Sequence, residues 1–189
     1  SKVADPYRWL EDDNSAETAA WVTSQNALTQ PYLAGIPERK AIGERKTKLY
    51  NYERYGQVFK RGGKYFYYRN DGLQDRDVLY MTRQLNAPGE VLIDPNKFED
   101  KSVALSDVSV SPVGKLLAYT LATAGSDWHE IKVMEIDSRK SLSDHMRWVK
   151  FSGVEWSEDN KGIYYSRYEE PKDGIKSRGT NYNQKLYYH

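Results

Sequence analysis

The chain of 189 residues contains no cysteine, which excludes disulfide bridges, thiolate metal ligands and a cysteine nucleophile. Its histidines are His129, His145 and His189, and their spacing is not that of a short metal-binding motif. We therefore expect neither a metal site nor a cofactor. Because proteins of reducing compartments lack structural disulfides, the absence of cysteine also favours a cytoplasmic location.

Long apolar runs are absent as well. No segment approaches the roughly 20 apolar residues of a membrane span, and residues 1–6 do not resemble the apolar core of a signal peptide. Charge of one sign is not in excess, since 28 lysines and arginines face 27 aspartates and glutamates without long blocks. This balance predicts neither a nucleic-acid partner nor a membrane partner.

Sequence motifs of nucleophilic catalysis and phosphate binding are missing too. There is no G-x-S-x-G nucleophile elbow and no phosphate-binding glycine loop. The nearest grouping is residues 125–129, GSDWH, which place serine, aspartate and histidine close together in sequence. A catalytic triad needs side chains that converge from separate elements, so we interpret these as polar loop residues. We predict no catalytic residue in this chain.

The chain is rich in aromatic residues, with 16 tyrosines and five tryptophans, and it is repetitive. One strand-turn-strand pattern occurs at residues 59–68, 110–119 and 156–165, and it aligns Lys64, Lys115 and Lys161 at intervals of about 50 residues. A repeat of this length is typical of a four-stranded propeller blade. We predict a mainly β fold, a partial propeller of about two and a half blades. Because the third copy stops inside a strand, we expect the chain to be the front part of a larger protein.

Each repeat is expected to form a hairpin with further strands beside it. The first hairpin strands are predicted at residues 64–68, 115–121 and 162–166, with partners at 78–81, 131–136 and 185–188. An outer strand is predicted at 91–93, and innermost strands at 103–110 and 147–156. Gly153, inside the last of these, indicates a bulge or a close approach of another backbone.

The first 50 residues or so have helical instead of alternating periodicity. Asn14 is followed three positions later by Glu17, as in a capping box, which predicts a helix from about Ser15. Pro31 should kink or end that helix, because proline offers no amide hydrogen and crowds the preceding turn, and Gly35 supplies a stop signal. A second helix is predicted at residues 37–50, opening with a proline in its first turn.

Phe151 is the one candidate binding residue. It lies in the predicted innermost strand at 147–156, and such strands face the channel or the pocket at the mouth of a propeller. The alternative is that Phe151 is a core aromatic packed between two blades. The residues alone leave both interpretations open.

Four motifs, spread over nearly the whole chain, resemble the prolyl oligopeptidase family. They are residues 5–12 (DPYRWLED), 25–26 (QN), 125–128 (GSDW) and 184–189 (QKLYYH), in this order and spacing. The first motif is shared in looser form with oligopeptidase B, whereas the last two are more specific to prolyl oligopeptidases.

This resemblance implies a serine peptidase that cuts short peptides after proline, with an α/β-hydrolase domain capped by a seven-bladed β-propeller. Residues 1–51 would be an N-terminal helical segment of the peptidase domain, and residues 52–189 the first blades of the propeller. In this family the catalytic serine, aspartate and histidine follow the propeller, so the chain alone is expected to be inactive. Phe151 aligns with an aromatic residue that lines the S3 subsite of the family.

The partners that the resemblance implies are short proline-containing peptides and the missing C-terminal part of the same protein. Two alternatives stay open. The chain could belong to a non-catalytic β-propeller that binds another protein, or to an oligopeptidase B, which cuts after basic residues. As an isolated polypeptide it is expected to be poorly soluble, because repeats without their neighbours leave sheet faces uncovered.

Overall fold

The structure is a computed structural model that describes residues 3–123, 126–171 and 182–189. The chain forms two compact units, Ser1–Asn51 and Tyr52–His189. The first unit is helical, and the second consists of antiparallel strands. None of the helices in the described ranges combines the length and the apolar character that crossing a bilayer requires.

The first long helix, α1, is Ala16–Ala34, preceded by a short 3₁₀ turn at Arg8–Glu11. Its N-cap is Ser15, whose backbone is extended and whose Oγ accepts a hydrogen bond from the Thr18 backbone N–H at 3.1 Å. The predicted capping box with Asn14 as the cap is therefore wrong by one residue. The Asn14 side chain instead donates to the neighbouring Asp13 carboxylate.

Pro31 lies inside α1, and the helix continues past it to Ala34. The chain leaves the helix at Gly35, whose N–H donates to the Pro31 and Tyr32 carbonyls. The predicted stop at Gly35 is confirmed, whereas Pro31 does not end the helix, because its missing N–H removes one hydrogen bond and the rest of the turn is retained. The second helix, α2, is Arg39–Tyr50, close to its predicted bounds.

The second unit begins with a sheet of five strands. They are β1 Arg54–Tyr55, β2 Phe59–Arg61, β3 Lys64–Asn70, β4 Val78–Thr82 and β5 Glu90–Ile93. Both β1 and β2 pair with β3, which pairs with β4 and then β5. The predicted hairpin and outer strand are confirmed. We call these five strands the first blade.

The other sheet has six strands. They are β6 Val103–Val110, β7 Leu116–Thr123, β8 His129–Glu135, β9 Ser141–Trp156, β10 Ile163–Arg167 and β11 Lys185–Tyr188. They pair in the order β11-β10-β9-β8-β7-β6, all antiparallel. Every strand predicted between residues 103 and 188 is present, although β9 starts earlier than expected.

The long strand β9 belongs to two repeats. Its beginning pairs with β8, with Ser141 opposite Met134, and its end pairs with β10, with Trp156 opposite Ile163. We call β6–β8 with the beginning of β9 the second blade, and the end of β9 with β10 and β11 the third blade. The outer strand of one blade thus continues directly into the inner strand of the next. Its polar beginning, SLSDH at residues 141–145, explains why the outer strand was missed.

The aligned lysines mark the same backbone turn in all three blades. The residue before each lysine has a positive φ: Gly63 at 76°, Gly114 at 68° and Asn160 at 61°. Glycine has no Cβ to clash in this left-handed region, and asparagine is among the residues that tolerate it best. The repeat seen in the sequence is therefore a repeat of backbone conformation.

The core of the second unit lies between the blades. One cluster joins the first two blades and includes Phe66, Leu79, Met81, Leu117 and Ile136. A second cluster joins the second and third blades and includes Ala118, Ile131, Val149, Val154 and Ile163. Leu117 and Ala118 are neighbours on β7 and face different clusters, as strand alternation requires.

These observations confirm the predicted fold class, a mainly β chain with part of a propeller preceded by helices. Successive blades pack face to face through the two clusters, and the sheets of the described residues stay open instead of closing into a ring. Each blade has one face toward its neighbour, which is how blades of a propeller are buried.

Candidate functional site

Residues 150–153 bulge out of the third blade. Val154 pairs with Tyr165 and Val149 pairs with Arg167, so the four intervening residues of β9 lie opposite Ser166 alone. Phe151, at the tip, has a φ of 55°, which a phenylalanine rarely adopts. Bulges redirect side chains, and this one turns Phe151 away from the blade. The bulge predicted from Gly153 is confirmed, and a Cβ at Gly153 would meet no atom within 4 Å, so close backbone approach is not its cause.

The bulge is held by side-chain hydrogen bonds. Ser152 Oγ accepts from the Ser166 backbone N–H at 2.8 Å and donates to the Gly153 carbonyl at 2.8 Å. The Gln184 side-chain amide donates to the Lys150 carbonyl at 2.9 Å. Backbone groups that lose their ladder partners in a bulge need such substitutes, so the bulge is a defined conformation.

Phe151 is 71% exposed, whereas Val149 and Val154 on either side of the bulge are buried. Strict alternation from Val149 would have placed Phe151 on the buried face of the strand. This exposure excludes the packing of Phe151 between the second and third blades. An aromatic ring on the inner strand and in solvent is available to a ligand.

Lys150, next to Phe151, is almost fully buried, with 8% of the residue exposed. Its Nζ lies 3.3 Å from an Asp127 carboxylate oxygen, 5.1 Å from the centre of the Trp128 ring and 5.3 Å from the centre of the Phe151 ring. A carboxylate and two aromatic rings can compensate a desolvated ammonium group. The charge on Lys150 is therefore held between the turn that precedes β8 and the bulge.

Trp128 also takes part in an aromatic cluster. Its ring makes edge-to-face contacts with Trp148 and with Tyr168, each at 5.9 Å between centroids. A cavity of about 480 Å³ lies beside the cluster and is lined among others by Trp128, Trp148, Arg147 and Glu130. Its mixture of aromatic and charged groups is suited to a peptide more than to a purely apolar ligand.

The inner strands of all three blades line a second cavity of about 520 Å³. Its lining includes Phe59 and Arg61 of β2, Asp107 of β6, and Glu155 and Trp156 of β9. Trp156 Nε1 donates to the Ser109 carbonyl at 2.9 Å, which ties the third inner strand to the second. The inner strands therefore form one concave, partly charged wall, as in a propeller channel.

The side chains of the 125–129 segment that the structure describes do not assemble a triad. Ser126 Oγ accepts from the Trp128 backbone N–H, and the Asp127 carboxylate faces Lys150. His129 is the first residue of β8. Gly125 lies outside the described residues. These separate partners support the interpretation as polar loop residues.

The other two histidines contact carboxylates at the surface. His145 contacts Glu130 at 2.7 Å, and His189 contacts Asp144 at 2.9 Å. Over the ranges that the structure describes, no three His, Asp or Glu side chains come together as metal ligands would.

The sequence indicated Phe151 and missed Lys150. A lysine beside a phenylalanine in a strand predicts one buried and one exposed side chain, with the phenylalanine inside. The bulge reverses this order, since it shifts the register between Val149 and Val154. Gly153 was the available signal, but the number of residues that a bulge inserts is not readable from one glycine.

A family model described as the N-terminal β-propeller domain of prolyl oligopeptidase matches residues 1–189. A prolyl endopeptidase from Elizabethkingia miricola is 41% identical over 190 residues, which cover 100% of this chain and 27% of that relative.

Two solved structures are also similar. One, from a study of inter-domain dynamics in two prolyl endopeptidases, gives a TM-score of 0.88 at 31% identity, over 100% of this chain and 28% of that chain. Another is prolyl oligopeptidase B from Galerina marginata bound to a 35mer substrate, with a TM-score of 0.85 at 30% identity over 99% of this chain and 29% of that chain. The chain thus spans less than a third of the length of these relatives, and it belongs to the prolyl oligopeptidase family, as the N-terminal propeller portion.

Proposed function

We propose that the complete protein containing this chain is a serine endopeptidase that hydrolyses short peptides on the carboxyl side of proline. The observation that carries this proposal is the match over the whole chain to relatives named prolyl endopeptidase. The catalytic groups would be supplied by the C-terminal part of the same protein, and short proline-containing peptides would be the substrates. The propeller would limit access to peptides small enough to pass its mouth.

The first unit, residues 1–51, is proposed to be part of the peptidase domain. Thr18 is its one buried residue in the described range, while several large apolar side chains are exposed. Trp21, Leu28, Tyr32, Ile42 and Leu49 are the main ones. Helices with this much uncovered apolar surface normally pack on another part of a protein, which supports their assignment to a peptidase domain. A cytoplasmic location remains a prediction from the absence of cysteine.

The experiment for the reaction uses the complete enzyme and two chromogenic peptide amides, one ending in Gly-Pro and one ending in arginine. We expect a preference for the proline substrate of about 100-fold or more, and loss of turnover with a serine-directed reagent. Preference for arginine would instead identify an oligopeptidase B. Turnover of neither substrate would favour the non-catalytic interaction module.

Phe151 is proposed to contact the substrate residue two positions before the proline. Its exposure at the tip of a defined bulge on an inner strand supports this role. We expect F151A in the complete enzyme to lower kcat/KM about tenfold for peptides that extend far enough before the proline to reach this position. A tenfold loss is the usual effect of removing one aromatic contact. Peptides that do not reach this position should be affected less than about twofold.

The matched control is L142A. Leu142 is on the beginning of β9 in the second blade, which has a neighbouring blade on each side, and it is 39% exposed, so it tests whether loss of any exposed apolar side chain has the same effect. Equal kcat/KM values for F151A and the unsubstituted enzyme on all extended peptides would rule out the subsite role. That result would not contradict the proposal that the complete protein cleaves after proline.

A further inference from the structure

The side chain of Phe151 has little packing of its own. It is largely in solvent, and the hydrogen bonds of the bulge fix the backbone of residues 150–153 without contacting its ring. An exposed phenylalanine exchanges rotamers freely unless a neighbour favours one of them. The ring contact that the structure gives it is with the Lys150 ammonium, at 5.3 Å. The Lys150 ammonium is therefore the neighbour that can favour one rotamer of the Phe151 ring.

Lys150 is unusual in its burial. Lysine side chains normally extend their charged end into water, and burial of an unpaired ammonium costs several kcal/mol. Here Nζ is directed into the protein toward Asp127 and the Trp128 ring, although a methionine of similar shape would fill the space without the desolvation cost. Polar groups kept in such positions can specify a conformation, which is the role that the surrounding contacts suggest.

The partners of Lys150 come from another blade. Asp127 and Trp128 lie between β7 and β8 of the second blade, whereas Lys150 and Phe151 lie on the bulge of the third. Trp128 is itself braced by Trp148 and Tyr168. The ammonium therefore contacts both the Phe151 ring and an aromatic cluster that joins the second and third blades.

We propose that Lys150, held by Asp127 and Trp128, is a positioning residue that fixes the orientation of the Phe151 ring for substrate binding. The proposal rests on the proposed function of Phe151 and adds the residue through which its ring is placed. Lys150 itself need not touch the substrate. Its effect on catalysis passes through Phe151.

The first test is a double-mutant cycle in the complete enzyme. We expect K150M to raise KM about three- to tenfold for extended proline peptides with little change in kcat, and K150R to restore most of the loss because it keeps the cation. In the F151A background, K150M should have no further effect on KM. D127N should act in the same direction as K150M.

A merely structural role for Lys150 would look different. K150M would then lower activity on short and extended peptides alike, and the loss would persist in the F151A background, which would overturn the proposal. K185M is the matched control, because Lys185 forms an exposed ion pair with Glu169 in the same blade. It should leave KM unchanged.

The second test does not depend on activity. In the complete enzyme labelled with 4-fluorophenylalanine, the ¹⁹F resonance of Phe151 is the one that disappears in F151A. We expect K150M and D127N to move this resonance toward the shift of free fluorophenylalanine, and K185M to leave it in place. An unmoved Phe151 resonance in K150M would refute positioning even if the enzyme cleaves after proline, whereas a moved resonance in an enzyme that does not cleave after proline would refute only the proposed function.

Discussion

Single residues in the turns decide how closely two blades can approach. Gly62, with a φ of 52°, lies against the turn of the second blade, and a Cβ built on it would overlap the backbone of Val113 and Gly114. Gly63 has a φ of 76° but no atom within 4 Å of the same built position. Both glycines thus have a left-handed backbone, and only Gly62 is also required by close approach of another backbone.

We predict that G62A destabilises the complete enzyme more than G63A. G63A should cost about 1–2 kcal/mol, the penalty of a left-handed backbone with a Cβ. G62A should cost more than about 3 kcal/mol, because it adds a clash with a backbone that cannot move without separating the blades. Apparent melting temperatures of the two variants measure the difference. Equal losses would show that the blades are not in contact at this turn.

Among the elements, the aligned turns of the blades are joined by polar contacts. Lys64, the one buried member of the aligned lysines, donates from Nζ to the Gly114 carbonyl at 2.7 Å and pairs with Asp137 at 3.0 Å. Arg83 of the first blade contacts the same carboxylate at 2.8 Å. One turn further along, Val113 donates its N–H to the Asn160 side chain at 2.9 Å. The carboxylate of Asp137 thus ties the second blade to the first.

The hydrogen bond from Lys64, reinforced by the charges of Lys64 and Arg83, holds the pKa of Asp137 below its ordinary value. A depressed pKa in the folded state gives stability that is present above the unfolded pKa of about 4 and is lost as pH falls through the folded value. Because half of the carboxylate is in solvent, we expect a contribution on the order of 1 kcal/mol.

We predict that D137N lowers the apparent melting temperature of the complete enzyme by about 1 °C at pH 6–7, since the shift per kcal/mol becomes smaller as the unfolding protein becomes longer. This difference from the unsubstituted enzyme should shrink below about pH 4 as Asp137 takes up a proton. D75N, in an exposed turn of the first blade, serves as the control for loss of a surface carboxylate and should leave the melting temperature at pH 6–7 unchanged. A D137N deficit that is constant down to pH 2.5 would contradict the assignment.

On the scale of the whole molecule, the first blade has an aromatic outer face. The Tyr67 ring stacks on Tyr80 and makes a tilted contact with Tyr55, at 5.5 Å and 5.9 Å between ring centres. The Arg69 guanidinium lies over Tyr55 and Tyr80. This face also borders a cavity of about 450 Å³. At the other end, Tyr164 and Tyr188 of the third blade are packed on each other and remain exposed. Both end blades thus present partly exposed aromatic side chains.

We predict that residues 1–189, purified alone, neither turn over a Gly-Pro amide nor remain monomeric. The exposed aromatic faces of the end blades should associate, because such surfaces on a soluble monomer are prone to aggregation. Sedimentation velocity at micromolar concentration, with the complete enzyme as the control, measures the association. Turnover that scales with protein and is blocked by a serine reagent would show that this chain holds the catalytic groups after all.

Much of the fold was readable from the chain because the signals are local. The alternation of apolar residues located β3, β4 and β6 to β8, and the glycine or asparagine before each aligned lysine marked the turns. The helix end at Gly35 was readable, whereas Pro31 lies inside the helix, since its missing N–H removes one hydrogen bond and the rest of the turn is retained. The polar outer strand at the start of β9 was missed because its pairing, and not its composition, makes it a strand.

By itself, the sequence determined the repeat, the strand positions and the left-handed turns, because each depends on the conformational preferences of a few neighbouring residues. Tertiary structure alone decided that β9 continues from one blade into the next and that Lys64 is buried while Lys115 and Lys161 are exposed. It also placed Lys150 inside and Phe151 in solvent. These outcomes depend on which segments distant in sequence become neighbours, and no local preference specifies that.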